Sequence, residues 1–149
     1  MNIVLDSSPL GLLSDPKVSA EVVAITTWAS DCLTAGHRFY VAEIIDYELR
    51  RELLRAGKTR SVARLDALKA TFRYLPLDTP TMLLAADLWA QVRRTGLPTA
   101  SPQRLDVDVI LAAQALSLGL PTSDLIVATT NVGHLSRFVP ADLWTNIAP

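Results

Sequence analysis

Acidic residues in this chain recur where an apolar run ends or a helical stretch begins, and that placement is the first sign of chemistry. Asp6 closes the short run Ile3-Val4-Leu5 and is followed by Ser7, Ser8 and Pro9. Glu43, Asp46 and Glu48 follow Phe39-Tyr40-Val41-Ala42, while Asp106 and Asp108 open an alanine-rich apolar stretch. Asn131, with Thr129 and Thr130, follows Leu125-Ile126-Val127-Ala128. Carboxylates that converge on one rim repel one another unless a hard cation neutralises them. Oxygen donors without a cluster of Cys or His favour Mg²⁺ or Mn²⁺ over zinc. Asp6, an aspartate at the end of a first buried strand, leads the set. Glu48, Glu43 and Asp46 compete for a second place, with capping or i,i+4 ion pairing as the alternative role. Asp106 reads as a helix N-cap, and Asp108, just inside the helix, as the functional acid that also gains from the helix dipole. Asn131 is either a turn residue or a fourth member of the site, and His134 stands as a lone loop histidine.

These residues need a frame to hold them. The segment 2–5 reads as a buried strand running into a turn, and Pro9 suits the first turn of a short helix capped by a serine. Ser19 precedes a helix over 20–33 closed by Gly36, and 38–42 reads as a second strand. A helix over 44–54 stops at Gly57, a further one runs from about 59 to 71, and 73–77 reads as a short strand. Pro80 opens a helix to about 95, 97–103 reads as a loop, and Asp106 caps a helix over 107–118 ended by Gly119. Strands are expected at 125–129 and, on the edge, at 143–147. Strands alternating with helices, several of them continuous apolar runs, predict an α/β fold with a parallel sheet covered on both faces. In such sheets ligands bind at the carboxyl ends of the strands, and that rule selects the same acids.

The chain of 149 residues fits one domain spanning 1–149, with no repeat, low-complexity tract or dividing linker. Half of it is hydrophobic and 19% is charged, which excludes a disordered polyelectrolyte. No apolar run has the ~18–20 residues of a membrane span. The first residues lack the basic start of a secretory signal, and the single cysteine, Cys32, cannot staple a fold, so a reducing cytoplasm is expected. Net charge is −1, but the segment 50–73 holds Arg50, Arg51, Arg55, Lys58, Arg60, Arg64, Lys69 and Arg73 against Glu52 and Asp66. A cationic stretch beside an acidic remainder suits a metal-dependent nuclease, with carboxylates for the ions and arginines for phosphates. Arg50, Arg51 and Arg55, one to two turns beyond Glu48, are the expected phosphate contacts.

Four segments in order resemble the PIN-domain nucleases, and within them the VapC-like toxins. They are Ile3-Val4-Leu5-Asp6-Ser7-Ser8, Tyr47-Glu48-Leu49-Arg50-Arg51, Asp108-Val109-Ile110-Leu111-Ala112-Ala113-Gln114-Ala115 and Ala128-Thr129-Thr130-Asn131. The resemblance spans essentially the whole chain. It implies a three-layer α/β/α sandwich around a mainly parallel sheet of four to five strands. It also implies a divalent-metal site and hydrolysis of RNA that leaves a 5′-phosphate and a 3′-hydroxyl. Carried over by position, Asp6, Glu48 and Asp108 form the acidic triad that holds Mg²⁺ or Mn²⁺, and Asn131 takes the fourth place. That place often holds an aspartate, so a second ion is expected to bind weakly or with substrate. The same resemblance implies a small antitoxin partner and a homodimer.

Competing classes fare worse. A strand-end aspartate phosphatase wants a second aspartate where Ser8 stands. A dinucleotide-binding turn wants glycines where Ser7-Ser8-Pro9 stand. A non-catalytic RNA-binding or protein-interaction domain would keep the basic helices yet tolerate loss of an acid, and here all three acids are present.

Overall fold

The computed structural model describes residues 1–96 and 101–149. Among these residues the elements run β1 (Asn2–Leu5), α1 (Ser7–Ser14), α2 (Ala20–Thr34), β2 (Arg38–Ala42), α3 (Glu43–Arg55), α4 (Thr59–Thr71), β3 (Arg73–Leu75), α5 (Thr79–Arg94), α6 (Pro102–Leu116), β4 (Leu125–Ala128), α7 (Val132–Leu135) and β5 (Ala141–Asp142). All five strands are parallel, in the order β3-β2-β1-β4-β5. The order follows from right-handed crossovers. Stepping from β1 to β2 to β3 puts α1–α4 on one face, and the return from β3 to β4 puts α5 and α6 on the other. Contacts agree, with α1 packing on α2, α3 and α4, and α6 on α5 and α7. The result is the expected α/β/α sandwich.

The central strand explains its own sequence. Ile3, Val4 and Leu5 are fully buried, because β1 lies between β2 and β4 with helices above and below. A strand enclosed on both faces loses the alternating pattern, and the polar side chain at its start, Asn2, is buried only because it bonds Asp124 and the Tyr40 hydroxyl. Aromatic packing seals one end of the core. Trp28 meets Phe39 edge-on at 5.3 Å and Trp144 at 5.6 Å, and its indole N–H donates to the Ile147 carbonyl at 2.8 Å. Gln114, buried on α6, joins separate units: its Oε1 accepts from the Ile44 N–H at 3.2 Å, and its Nε2 donates to the Leu75 carbonyl at 2.6 Å.

Several boundaries differ from the sequence expectation, each for a local reason. The cap of α1 is Asp6 rather than a serine, with its carboxylate accepting from the Ser7 N–H. Helix α6 begins at Pro102 behind Ser101, so Asp106 lies inside the helix on an exposed face and caps nothing. A proline at the first helical position is pre-set for helical φ and lacks the N–H that would go unbonded there. Of the expected loop over 97–103, residues 97–100 lie outside the described residues and 102–103 are helical. The edge strand is Ala141–Asp142, and Trp144–Asn146 forms a 3₁₀ turn instead of the strand expected at 143–147. There Trp144 and Ile147 turn onto the core, which an edge strand would not permit for both.

Candidate active site

The sheet order reverses between β1 and β4, and a cavity of about 430 Å³ opens at their carboxyl ends. Its lining is Asp6, Ser7, Ser8, Glu48, Arg104, Val107, Asp108, Thr130 and Asn131. Four crossover units therefore contribute to one space. β1 delivers Asp6, α3 carries Glu48 back over the rim, α6 brings Asp108 and the segment after β4 supplies Asn131. Helices α3 and α6 pack on each other across this opening.

Asp6 is held at both oxygens. Its Oδ1 accepts from the Ser7 N–H at 2.7 Å, and its Oδ2 accepts from the Thr129 hydroxyl at 2.6 Å. Thr129 is fully buried, and its Oγ1 in turn accepts from the Asn131 N–H at 2.8 Å. The Asn131 Nδ2 stands 3.5 Å from Asp108 Oδ2, and the side-chain carbonyl oxygen of Asn131, which lines the cavity, has no hydrogen-bond partner among the described residues. His134, expected in a loop, lies on the short helix α7 and comes within 3.7 Å of the same Asp108 oxygen, so it borders the site without lining the cavity.

The electrostatics are those of an under-compensated acid cluster. Burial, reinforced by the charges of Asp6 and Glu48, pushes the Asp108 carboxyl up to about 7, against a smaller opposing pull from Arg104. Burial and Asp6 also raise Glu48, opposed by a hydrogen bond from Ser7 and by the charges of Arg51 and Arg104. Among the described residues no three acid, histidine or cysteine side chains are already drawn into a closed ligand cluster, and the acids line an open cavity instead. The donor set fits a hard divalent cation: all-oxygen, mutually repelling, and lowered in energy by added positive charge. Asp6, Asp108 and Glu48 are the residues able to hold it, with the Asn131 carbonyl as a neutral neighbour.

Other candidates fall elsewhere. Asp46, 5% exposed, is saturated by Arg50 at 2.8 Å, Lys69 at 2.6 Å and the Tyr74 hydroxyl at 3.1 Å. Burial alone would raise its pKa, but the hydrogen bonds and charges of Lys69 and Arg50 outweigh that and hold it below the usual range. Glu43 turns its carboxylate to the Leu77 N–H, tying α3 to the segment after β3. Asp106 borders a separate apolar groove with Met82 and Trp89. Of the expected phosphate contacts, Arg50 is consumed by Asp46 and by Asp66 at 2.6 Å, so it is a structural arginine. Arg51 is exposed over the Tyr47 ring, and Arg55 is exposed and paired with Glu52. Sequence reasoning passed over Arg104, which sits four residues before Asp108 and one helical turn away; the Ser101-Pro102 start signal would have placed it.

No family model matches the chain, and no curated protein matches it. Solved structures do. A chain of VapBC2 from Rickettsia felis, in a complex bound to a DNA fragment from its promoter, aligns over 97% of this chain and 99% of that one, with TM-score 0.69 and 13% identity. The fold is PIN-like. VapBC-1 from nontypeable Haemophilus influenzae aligns over 98% and 100%, with TM-score 0.65 and 16% identity. DNA-bound VapBC from Salmonella typhimurium aligns over 97% and 98%, with TM-score 0.69 and 19% identity. The PIN-like fold is thus matched end to end by chains that share fewer than one residue in five with it. Among the described residues no helix is long and apolar enough to cross a membrane.

Proposed function

We propose that this protein is a divalent-metal-dependent endoribonuclease that hydrolyses RNA phosphodiester bonds, the toxin component of a toxin–antitoxin pair. One observation carries the reading: Asp6, Glu48 and Asp108 share a cavity in which Arg104 is the lining cation among the described residues, and their repulsion lifts Asp108 to about 7. A fold that needed these acids for stability alone would have paired them, as it pairs Asp46. The cavity is also open and polar, as a site for a charged polymer requires.

Asp6 and Asp108 would hold Mg²⁺ or Mn²⁺, with Glu48 a further ligand directly or through water. When bound, the ion supplies a lowered pKa for an adjacent water and stabilises charge that builds on the attacked phosphate. The chain's own contributions are positional. Thr129 and the Ser7 N–H fix the Asp6 carboxylate in one orientation, and Asn131 locks Thr129 in turn. The side-chain carbonyl of Asn131 can accept from the attacking water, aligning its lone pair on the phosphorus. Arg104 can donate to a non-bridging phosphate oxygen, while Arg51 and Arg55 meet phosphates beyond the rim. In-line attack breaks the bond to the 3′ oxygen, giving a 5′-phosphate and a 3′-hydroxyl.

The VapBC neighbours support a small antitoxin as the natural partner; on the same reading the antitoxin covers the acidic cavity, and the toxin is a homodimer that acts in the cytoplasm. Incubation of the purified protein with total RNA is the test, with and without EDTA and with Asp6→Asn, followed by mapping of the ends. Cleavage that is lost with EDTA and with Asp6→Asn is expected. Cleavage unchanged by Asp6→Asn would overturn the assignment.

A further inference from the structure

Two aromatic side chains stand among the exposed large apolar ones of the described residues, Tyr47 on α3 and Trp89 on α5. Each carries a guanidinium over its ring at 5.1 Å, from Arg51 over Tyr47 and from Arg93 over Trp89. Their surroundings separate them. Trp89 borders the apolar groove of about 400 Å³ with Met82, Ala85 and Val109. Tyr47 immediately precedes Glu48, which lines the catalytic cavity. The other two tyrosines are used inside the fold, where Tyr40 donates to Asn2 at 3.0 Å and Tyr74 to Asp46 at 3.1 Å. Tyr47 is 56% exposed, so its ring adds little to the core. Tyrosine is also among the weaker helix formers, and a cation–π pair at an exposed site contributes little to stability. Neither burial nor helix propensity accounts for an aromatic ring at this position.

Helix geometry fixes what lies beside the ring. At about 100° per residue, Asp46 and Glu48 stand about 200° apart on α3, with Tyr47 midway between them. Asp46 is buried among its partners and Glu48 faces the cavity, so Tyr47 takes the outward side. Arg51, one turn on, falls at about 140° from Asp46, between Tyr47 and Glu48. Its charge serves both neighbours, covering the ring and opposing the upward shift of the Glu48 carboxyl. The order around the helix is therefore ring, guanidinium, cavity acid. Unpaired bases stack on aromatic rings and on guanidinium planes, and a guanidinium so placed still has N–H groups for a phosphate. We propose that Tyr47 and Arg51 form a base-stacking platform beside the catalytic cavity, holding one unpaired base of the RNA next to the scissile phosphate. A base held this way has left its duplex, so the platform selects substrates with an unpaired nucleotide at that position. This rests on the RNA-cleaving reading above.

The test uses a single strand of about twelve nucleotides with one cut site, and copies in which one base near the cut is removed to leave an abasic sugar. For Tyr47→Ala, KM on the intact strand should rise about tenfold with kcat and Tm unchanged, while Tyr47→Phe and Tyr47→Trp keep the wild-type KM. With wild type, one of the abasic strands should show a similar rise in KM. On that strand Tyr47→Ala should add nothing, because ring and base act as a pair. A fluorescent adenine analogue at that position should be quenched on binding to Asp6→Asn protein, which leaves the strand uncut, and should stay bright with Asp6→Asn/Tyr47→Ala. An unchanged KM for Tyr47→Ala would overturn the platform. So would an equal rise on the intact and on every abasic strand, which would mean that the substitution acts through Glu48 or the helix. If wild type cleaved no strand, the nuclease reading itself would fail and the platform with it, a result distinct from cleavage insensitive to Tyr47.

Discussion

Helix α3 carries two acids that differ by two positions and live in opposite electrostatic worlds. Asp46 is buried against Arg50, Lys69 and Tyr74, and its pKa lies below the ordinary range. Burial, then the Asp46 charge, pushes the Tyr74 phenol up, so its hydroxyl stays a donor to that carboxylate. Glu48 faces the cavity with Asp6 and Asp108, and both Glu48 and Asp108 lie above the ordinary range. The same chemistry, one helix and a 200° change of facing separate a carboxylate that stabilises the protein from carboxylates that destabilise it. A buried acid that the fold has neutralised is structural. An acid cluster that the fold has left without partners costs stability, which fits the metal site proposed above.

The largest effects should come from crossing the two sets. Asp6→Asn is expected to lower RNA cleavage by on the order of 10³-fold while leaving the urea midpoint close to wild type. Asp46→Ala should do the reverse. It strands Lys69 and half of the Arg50 pairing, so unfolding free energy should fall by ~2–3 kcal/mol in urea titration, with cleavage per folded molecule retained. If Asp46→Ala abolished cleavage at full stability, the division would be broken.

A smaller effect separates the sets by pH. In metal-free protein the folded pKa of Asp108, about 7, exceeds the ordinary value of 3.8, so the folded state holds a proton that the unfolded state has released between those limits. Stability from this group is therefore full below about pH 4 and declines as pH rises to about 7. Asp46 runs the other way: its contribution is present above 3.8 and is lost as pH falls through its lowered folded value. Asp108→Asn should accordingly raise metal-free stability at pH 8 by on the order of 1–2 kcal/mol and have little effect at pH 4, read by chemical denaturation at both. The arginines offer the finest cut. Arg50→Ala should lose ~1 kcal/mol of stability, whereas Arg51→Ala should leave stability unchanged and raise KM for RNA a few-fold.

The sequence made the sheet legible because a doubly covered parallel strand cannot hide: Ile3-Val4-Leu5 and Leu125-Ile126-Val127-Ala128 have no polar face. Asp6 and Asn131 were legible for the same reason, as the first polar residues beyond those strands. Glu48 was harder, since periodicity shows that a helix exists without showing how it is rotated, and Glu43 and Asp46 sit on the same helix. The residues alone put Glu48 ahead of the other two, and the resemblance to PIN-domain nucleases placed it in an acidic triad. The role of Arg50 was not legible, because its partners Asp46 and Asp66 come from two helices whose packing no local pattern reports. Arg104 was lost through one misplaced cap: taking Asp106 as the start of α6 left the preceding turn outside the helix.

Gln114 has a mechanical consequence. Its helix carries Asp108, and the Ile44 N–H it accepts from begins the helix that carries Glu48. Its other bond anchors the pair to the end of β3. A single buried amide thereby sets the gauge between two acid-bearing helices, and widening the gap would require breaking a bond in a place water does not reach. The separation of the two helices, and so of Glu48 from Asp108, is therefore set by the fold rather than by whatever enters the cavity.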